Sequence, residues 1–181
     1  QNAEQINAQY NDINGEIKAT VTQINAITRS IAELNNQIFS YEMSGAQAND
    51  LRDRRNLLLD ELAGYIPIHY EETPDKYLIV RFGDKNGEQL VNHAKSNDLA
   101  LVENKDHAFM GPDQNGNIPQ VYQLYWAKDV DPATGDLLNP ATPAIDITEG
   151  ALGAYFKMRD GDSEDNIGLP YVMTLLDELC Q

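Results

Sequence analysis

Cysteine is nearly absent from this chain. Cys180 is the single thiol in 181 residues, so no disulfide can close within the chain, and a thiolate zinc site lacks its ligands. That usage fits the cytoplasm and equally fits export that bypasses oxidative folding. Basic residues are scarce as well: 13 lysines and arginines stand against 29 aspartates and glutamates, a net charge of −16. Such a balance repels phosphate backbones and anionic bilayers, which sets aside nucleic acid and membrane as partners. No run approaches the roughly 20 apolar residues of a bilayer span, and the start has neither the basic region nor the apolar core of a secretory signal. The chain opens on Gln1 without a methionine and closes at Gln181 inside a helical pattern, so a piece of something longer is expected. The length holds one ordinary domain or two small ones, and either buries a real core.

The signatures of chemistry are missing too. His69, His93 and His107 are 24 and 14 positions apart, which matches no compact metal-ligand spacing. There is no nucleophile elbow and no dinucleotide fingerprint. "GPDQNG" (Gly111 to Gly116) lacks the lysine of a phosphate loop, so its glycines read as turn formers. "DVDPATGD" and "DGDSEDN" place carboxylates two apart. The first has no glycine at the sixth loop position, and the second has Asp165 there and Tyr171 where a bidentate glutamate closes a calcium loop; both read as solvated turns. No acidic pair stands out for general acid and base work. Tyr122, Leu124 and Trp126 alternate along one predicted strand, a strip that fills a small β core or stacks on a sugar, core being favoured. Cys180 reads as a small buried hydrophobe. No catalytic, cofactor-binding or metal residue is assigned, no cofactor is expected, and the chain is not expected to be an enzyme.

What is present is periodicity. Tyr10, Ile17, Ile24, Ile31 and Ile38 recur every seven residues, with the companion series Ile6, Ile13, Thr20, Ile27, Leu34 and Tyr41 between them. A heptad seam over five repeats predicts one continuous helix, on the order of 50 Å long, with a narrow apolar stripe. The other faces are mostly Asn, Gln, Glu, Ala and Thr. Gly15 within it costs about 1 kcal/mol relative to alanine. The stripe needs another helix. "SGAQAND" (Ser44 to Asp50) supplies the turn, with Asn49 or Asp50 able to cap the next helix. There Leu51, Leu58, Leu62 and Ile66 share one side and pack back on the isoleucines as an antiparallel hairpin. Arg52, Asp53, Arg54 and Asp60 stay largely solvated, with Asp50 and Arg54 forming an acid-before-base pair four apart. Arg55 lies on the leucine side, positioned to bond across the hairpin or to a neighbouring molecule.

Past Pro67 the spacing changes to short strands. "KYLIVRF", "DKNG" and "EQLV" read as a hairpin in which Asn86 and Gly87 supply positive backbone angles. "DLALVE" and "QVYQLYWA" are further strands, and "AIDI" (Ala144 to Ile147) a last one. Helical spacing returns at "TEGALGAYFKMRD", with Leu152, Tyr155, Phe156 and Arg159 on it and Thr148 as cap. After the polar break "GDSEDNIG", "LPYVMTLLDELCQ" puts Leu169, Val172, Leu176 and Leu179 on a helical face, with Pro170 in the first turn.

Together, the Asn- and Gln-rich helix, "NDLRDRRNLLLDELAGYI", "GALGAYFKMRD" and "LPYVMTLLDELC" resemble flagellar hook-associated protein 1, the FlgK family. Its N-D-L-x-D-x-R-x-x-L-L-x-E-L motif is matched by Asn49, Asp50, Leu51, Asp53, Arg55, Leu58, Leu59, Glu61 and Leu62. Its G-x-L-G-G-x-x-x-x-R-D motif is matched by Gly150, Leu152, Gly153, Arg159 and Asp160, with Ala154 in place of the second glycine. Cys180 sits where the family usually has alanine. The resemblance covers the helical parts and implies a central fragment, lacking both terminal segments, of a structural protein at the junction between hook and filament. It implies export through the flagellar type III apparatus without a cleaved signal peptide, to an extracellular place on the flagellum. The implied partners are other copies of itself in a ring, hook protein, the next hook-associated or filament-junction protein, and an export chaperone reached through the missing C-terminus.

The fold expected is α+β: an antiparallel helical bundle from N- and C-terminal helices (1–66 plus 148–181), with a small antiparallel β domain (67–147) inserted between them. C-terminal helices are expected to complete the bundle on the first helix. The leading function is a structural subunit acting by subunit packing. The alternative is a cell-surface binding module, adhesin or receptor ectodomain, with helical stalk and β head; a hydrolase using an acidic pair ranks third.

Overall fold

The computed structural model describes residues 2–74, 76–104 and 120–179. The expectations for Cys180, His107 and the 111–119 turn cluster lie outside them. The first helix, α1 (Asn2–Glu42, 41 residues), runs unbroken for about 60 Å. Its heptad seam is the spine of the core: Tyr10, Ile17, Ile24, Ile31 and Ile38 are each at most 1% exposed. Of the companion series Ile6, Thr20, Ile27 and Leu34 are buried and Ile13 is partly so, but Tyr41 is half exposed, because the turn to the next helix follows directly.

The second helix, α2 (Asn49–Tyr65), lies antiparallel on α1: contacts pair Glu42 with Arg52, Asn35 with Arg55 and Gln23 with Glu61. Three details differ from the sequence reading. The N-cap is Ala48, which makes no side-chain cap bond; Asn49 already belongs to the helix. The buried stripe is Arg55, Leu59, Leu62 and Ile66, with Leu51 and Leu58 at its margin and Leu57 outside. Arg52 is drawn into an ion network instead of staying solvated, because Glu42 and Glu72 converge on it.

Gly15 faces open space where a Cβ would stand. Gly15→Ala is therefore expected to stabilise the chain by about 1 kcal/mol and raise its melting temperature by about 2–4 °C. A lower melting temperature would show that this helix position serves something other than helicity.

Strands β1 (Ile68–Glu72), β2 (Leu78–Phe82), β3 (Gln89–Asn92) and β4 (Lys95–Ser96) form an antiparallel sheet in chain order. β5 (Leu99–Glu103) and β6 (Tyr122–Trp126) form a separate antiparallel pair. The hairpin expected around "DKNG" is present, yet neither Asn86 nor Gly87 takes a positive φ; Gly83 does, at 73°. Ala144 to Ile147 is not a strand: Ile145 N–H donates to the Leu124 carbonyl at 2.7 Å, and no ladder follows.

Helix α3 (Gly150–Asp160) packs on both α1 and α2. Its N-cap is Glu149, so Thr148 does not cap it. The polar break is itself a small hairpin, β7 (Asp162–Ser163) with β8 (Asn166–Ile167). The last helix, α4 (Leu169–Leu179), packs on α3 and on that hairpin. Of the two C-terminal helices, α3 is thus the one that closes on α1 and α2, while α4 lies against α3 and the hairpin. Ile17, Ile24 and Ile31 share a single apolar cluster with Leu59 and Leu62 of α2, Val80 of β2, Leu90 of β3, Trp126 of β6 and Leu152 of α3. The fold is thus mixed α+β, helices and antiparallel strands around one spine.

Candidate functional site: polar joints along the long helix

A long helix with an apolar seam fixes its partners in two dimensions but leaves them free to slide along the axis. Directional bonds remove that freedom. Polar joints at three heights of α1 supply them.

The first joint lies at the hairpin end. Arg52 donates from Nε and Nη2 to the two carboxylate oxygens of Glu42, at 2.7 and 2.9 Å, and from Nη1 and Nη2 to Glu72 at 2.9 and 3.1 Å. Arg55, whose side chain is 5% exposed, donates to Asn35 Oδ1 and to Glu72 Oε2, both at 3.0 Å. Asn35 in turn donates to the His93 carbonyl at 2.8 Å. Lys76 reaches Glu42 at 3.4 Å. Two forked guanidinium groups thereby bind α1, α2, β1 and the β3–β4 turn into one unit, a geometry lysine cannot reproduce. His93 holds that turn at a φ of +52°, its ring 4.2 Å from Tyr77 and 5.2 Å from Phe39.

At mid-helix the amide of Asn25 acts as a strand neighbour. It accepts from Leu99 N–H and donates to the Leu99 carbonyl, both at 2.8 Å, fastening the edge of β5 to α1. The Arg29–Asp98 ion pair flanks it.

The third joint is built on Arg159, whose side chain is 1% exposed. It donates from Nε and Nη2 to the two oxygens of Asp160 at 2.6 Å, and from Nη1 to Asn14 Oδ1 at 3.1 Å. Asn14 donates onward to the Gln120 carbonyl at 2.7 Å. The rings of Phe156 and Tyr10 lie 4.9 and 5.9 Å from the guanidinium carbon, a cation-π setting. Close backbone approaches position the helix that carries it. A Cβ on Gly150 would lie 2.4 Å from the Tyr65 carbonyl oxygen, and one on Gly153 would lie 2.6 Å from the Thr148 carbonyl carbon.

The electrostatics follow from these partners. The Arg52 fork holds the Glu42 carboxyl down at about 2, and Arg52, with help from Arg55, lowers Glu72 as well. Burial lowers His93 and pushes the Tyr10 hydroxyl up to about 12. A carboxyl depressed in the fold stabilises it above the ordinary value of 4.5 and loses that contribution as pH falls through the folded value; a histidine kept neutral loses its share below 6.5. Denaturant midpoints are therefore expected to be flat near neutrality, to decline below about pH 6.5 and to fall more steeply below about pH 4.5. Glu42→Gln should blunt the steeper limb; an unchanged acid limb in that variant would rule out the Arg52 fork as its source.

Arg55, Arg159 and Asp160, read from sequence only as motif positions or as a residue on the leucine side, are joint residues. Arg55 bonds across the hairpin. No ion pair among the described residues joins Asp50 to Arg54. The Asn14, Asn25 and Asn35 anchors were missed. α1 holds seven asparagines, Asn2, Asn7, Asn11, Asn14, Asn25, Asn35 and Asn36, so composition alone does not single these three out. Leu124 and Trp126 fill the core, whereas Tyr122 is only half-buried and its hydroxyl accepts from the Lys18 ammonium of α1 at 3.0 Å. Of the carboxylate clusters weighed for calcium, Asp131 accepts the Ala133 N–H at 2.8 Å to close its own turn, and Asp160 is engaged by Arg159.

The family described as "Flagellar hook-associated protein FlgK helical domain" matches residues 1–179. The solved structure of the flagellar hook junction protein FlgK from Burkholderia pseudomallei is similar, with 25% identity and a TM-score of 0.55 over 86% of this chain. The chain spans 25% of the length of that structure. No curated protein sequence matches the chain. With one family matched along nearly its whole length and the α+β frame shared, the chain belongs to the FlgK family of flagellar hook-associated proteins.

Proposed function

We propose that this chain is the load-bearing part of a structural subunit at the hook–filament junction, working by packing against neighbouring subunits and carrying out no reaction. The observation that supports it most is the three-height fastening of α1. Bonds at Asn14, Asn25 and Asn35 lock strands and helices to one 41-residue helix, so a force on any element passes to the whole. In this reading the helical part, 1–66 with 148–181, faces the axis of the assembly and 67–147 faces outward. The neighbours are other copies in a ring, with hook protein on one side and the next hook-associated or filament-junction protein on the other. The subunit leaves the cell through the flagellar export apparatus without a cleaved signal peptide, escorted by a chaperone. Weak contacts repeated around a ring give avidity without tight pairing in solution.

The test is removal of the gene that encodes the chain, followed by its return in trans. Deletion should leave cells with hooks but without attached filaments, shedding unassembled filament protein into the medium. Restoration of filaments by the wild-type gene completes the expected result. Normal filaments on deletion cells would overturn the proposal.

A further inference from the structure

The β3–β4 hairpin turns on two residues, His93 and Ala94, between the pairs Asn92 with Lys95 and Val91 with Ser96. The first position of so short a loop calls for a left-handed backbone, which glycine or asparagine takes with least strain. His93 holds it at a φ of +52°. What offsets the strain is where the ring goes: it lies 4.2 Å from the ring of Tyr77 and meets Phe39 of α1 edge-on at 5.2 Å. The carbonyl of the same residue accepts the Asn35 amide at 2.8 Å, and Asn35 Oδ1 accepts from Arg55 at 3.0 Å. One residue therefore carries both the ring that docks on α1 and the carbonyl that α1 holds.

The slot has no provision for a charged imidazole. Nδ1 is enclosed and has no hydrogen-bond partner among the described residues. A bare ring nitrogen there costs less than an N–H without an acceptor, so the neutral ring keeps its hydrogen on Nε2 and a second proton must go to Nδ1. The charged and titratable groups around it come from every neighbouring element. α1 brings Glu42, one turn past Phe39 and taken by Arg52 and Lys76, and Arg29, paired with Asp98. Lys76 and Tyr77 lead into β2, Lys95 belongs to β4, and Arg55 of α2, bound to Glu72 of β1, is reached through Asn35. The carboxylates are thus engaged, and the remaining cations oppose a proton on the ring. Burial accordingly lowers the imidazole from its ordinary value of 6.5.

We propose that His93 is an acid-sensitive latch: on taking up a proton its ring leaves the slot for water, the backbone strain relaxes with it, and the β3–β4 turn comes off α1. Closed, the residue is neutral; open, it titrates as an ordinary histidine. The latch therefore stays shut above about pH 6.5 and opens progressively as pH falls below it, before ordinary carboxyls titrate near 4.5. Ile17, Ile24 and Ile31 have no proton to gain, so the apolar spine stays packed meanwhile. This holds whatever the subunit packs against.

Hydrogen exchange of the protein, followed by mass spectrometry at about pH 5 and about pH 7 and corrected for the intrinsic pH dependence of exchange, reads the latch. Peptides over residues 90–97 should exchange about fivefold or more faster at the lower pH, while those over 17–31 of α1 keep their protection. His93→Asn, which tolerates the left-handed turn and cannot take up the proton, should abolish the rise, and His69→Asn should leave it. Should His93→Asn fold poorly, an NMR titration of the unaltered protein decides: the His93 ring protons should titrate with a midpoint below 6.5, and the Tyr77 and Phe39 ring signals should shift at that same midpoint. A rise retained in His93→Asn, exchange that quickens equally over 17–31, no rise at all, or Tyr77 and Phe39 signals that ignore the His93 titration would overturn the latch.

Discussion

Arg159→Ala is expected to lower the unfolding free energy by about 3 kcal/mol, the larger of the losses reachable by changing one charged residue here. Its side chain is 1% exposed, whereas Asp160 is 41% exposed and keeps water as a partner once the arginine is gone. The penalty therefore falls on the buried side. Asn14, 5% exposed, loses the donor to its Oδ1, and the space beside Phe156 empties. For a chain of this size that corresponds to roughly 6–12 °C in melting temperature. Arg159→Lys should recover part of the loss, because an ammonium keeps the charge and the ring contact but cannot serve Asp160 and Asn14 in one plane. Urea unfolding of the three proteins measures this. A loss below about 1 kcal/mol for Arg159→Ala would mean that the third joint holds nothing.

Gly150→Ala should be comparably damaging for a different reason. The residue has a φ of 73°, and a Cβ there would sit 2.4 Å from the carbonyl oxygen of Tyr65 and 2.7 Å from its carbonyl carbon. These are backbone atoms at the end of α2, so no rotamer change relieves the overlap. The chain must move α3 off α2 or accept strain, and about 3 kcal/mol or more is expected. Gly45→Ala is the control. Gly45 has a φ of 84° but nothing within 4 Å, so only the left-handed backbone term of about 1 kcal/mol applies. The difference between the two variants isolates the steric contact that places α3, and equal losses would dismiss it.

Several elements were legible before any coordinates. The isoleucine seam declared a long helix, since burial at every seventh residue has no other regular explanation, and Ile17, Ile24 and Ile31 are fully buried. Placing Arg55 on the inner side of α2 followed from the same helical arithmetic. β1 escaped notice because Ile68 to Glu72 is half polar and mostly exposed, which gives no alternation to read. The β7–β8 hairpin escaped because two-residue strands made of Asp, Ser, Asn and Ile carry almost no propensity signal. "AIDI" misled in the opposite direction: its alternation is real, but it makes one backbone bond to Leu124 of β6 and no ladder.

By itself the sequence determined the spine, the hairpin, the strand-rich middle and the kind of protein this is, since all of these depend on periodicities and motifs within a few turns of chain. Only the tertiary structure decided which polar residues lock those parts together. Arg159 meets Asn14 across 145 positions and Asn14 meets Gln120 across 106. An asparagine on a helix carries no mark of the carbonyl it will meet. A hydrogen bond acts over about 3 Å, so its partner exists only once the apolar seam has brought distant segments together.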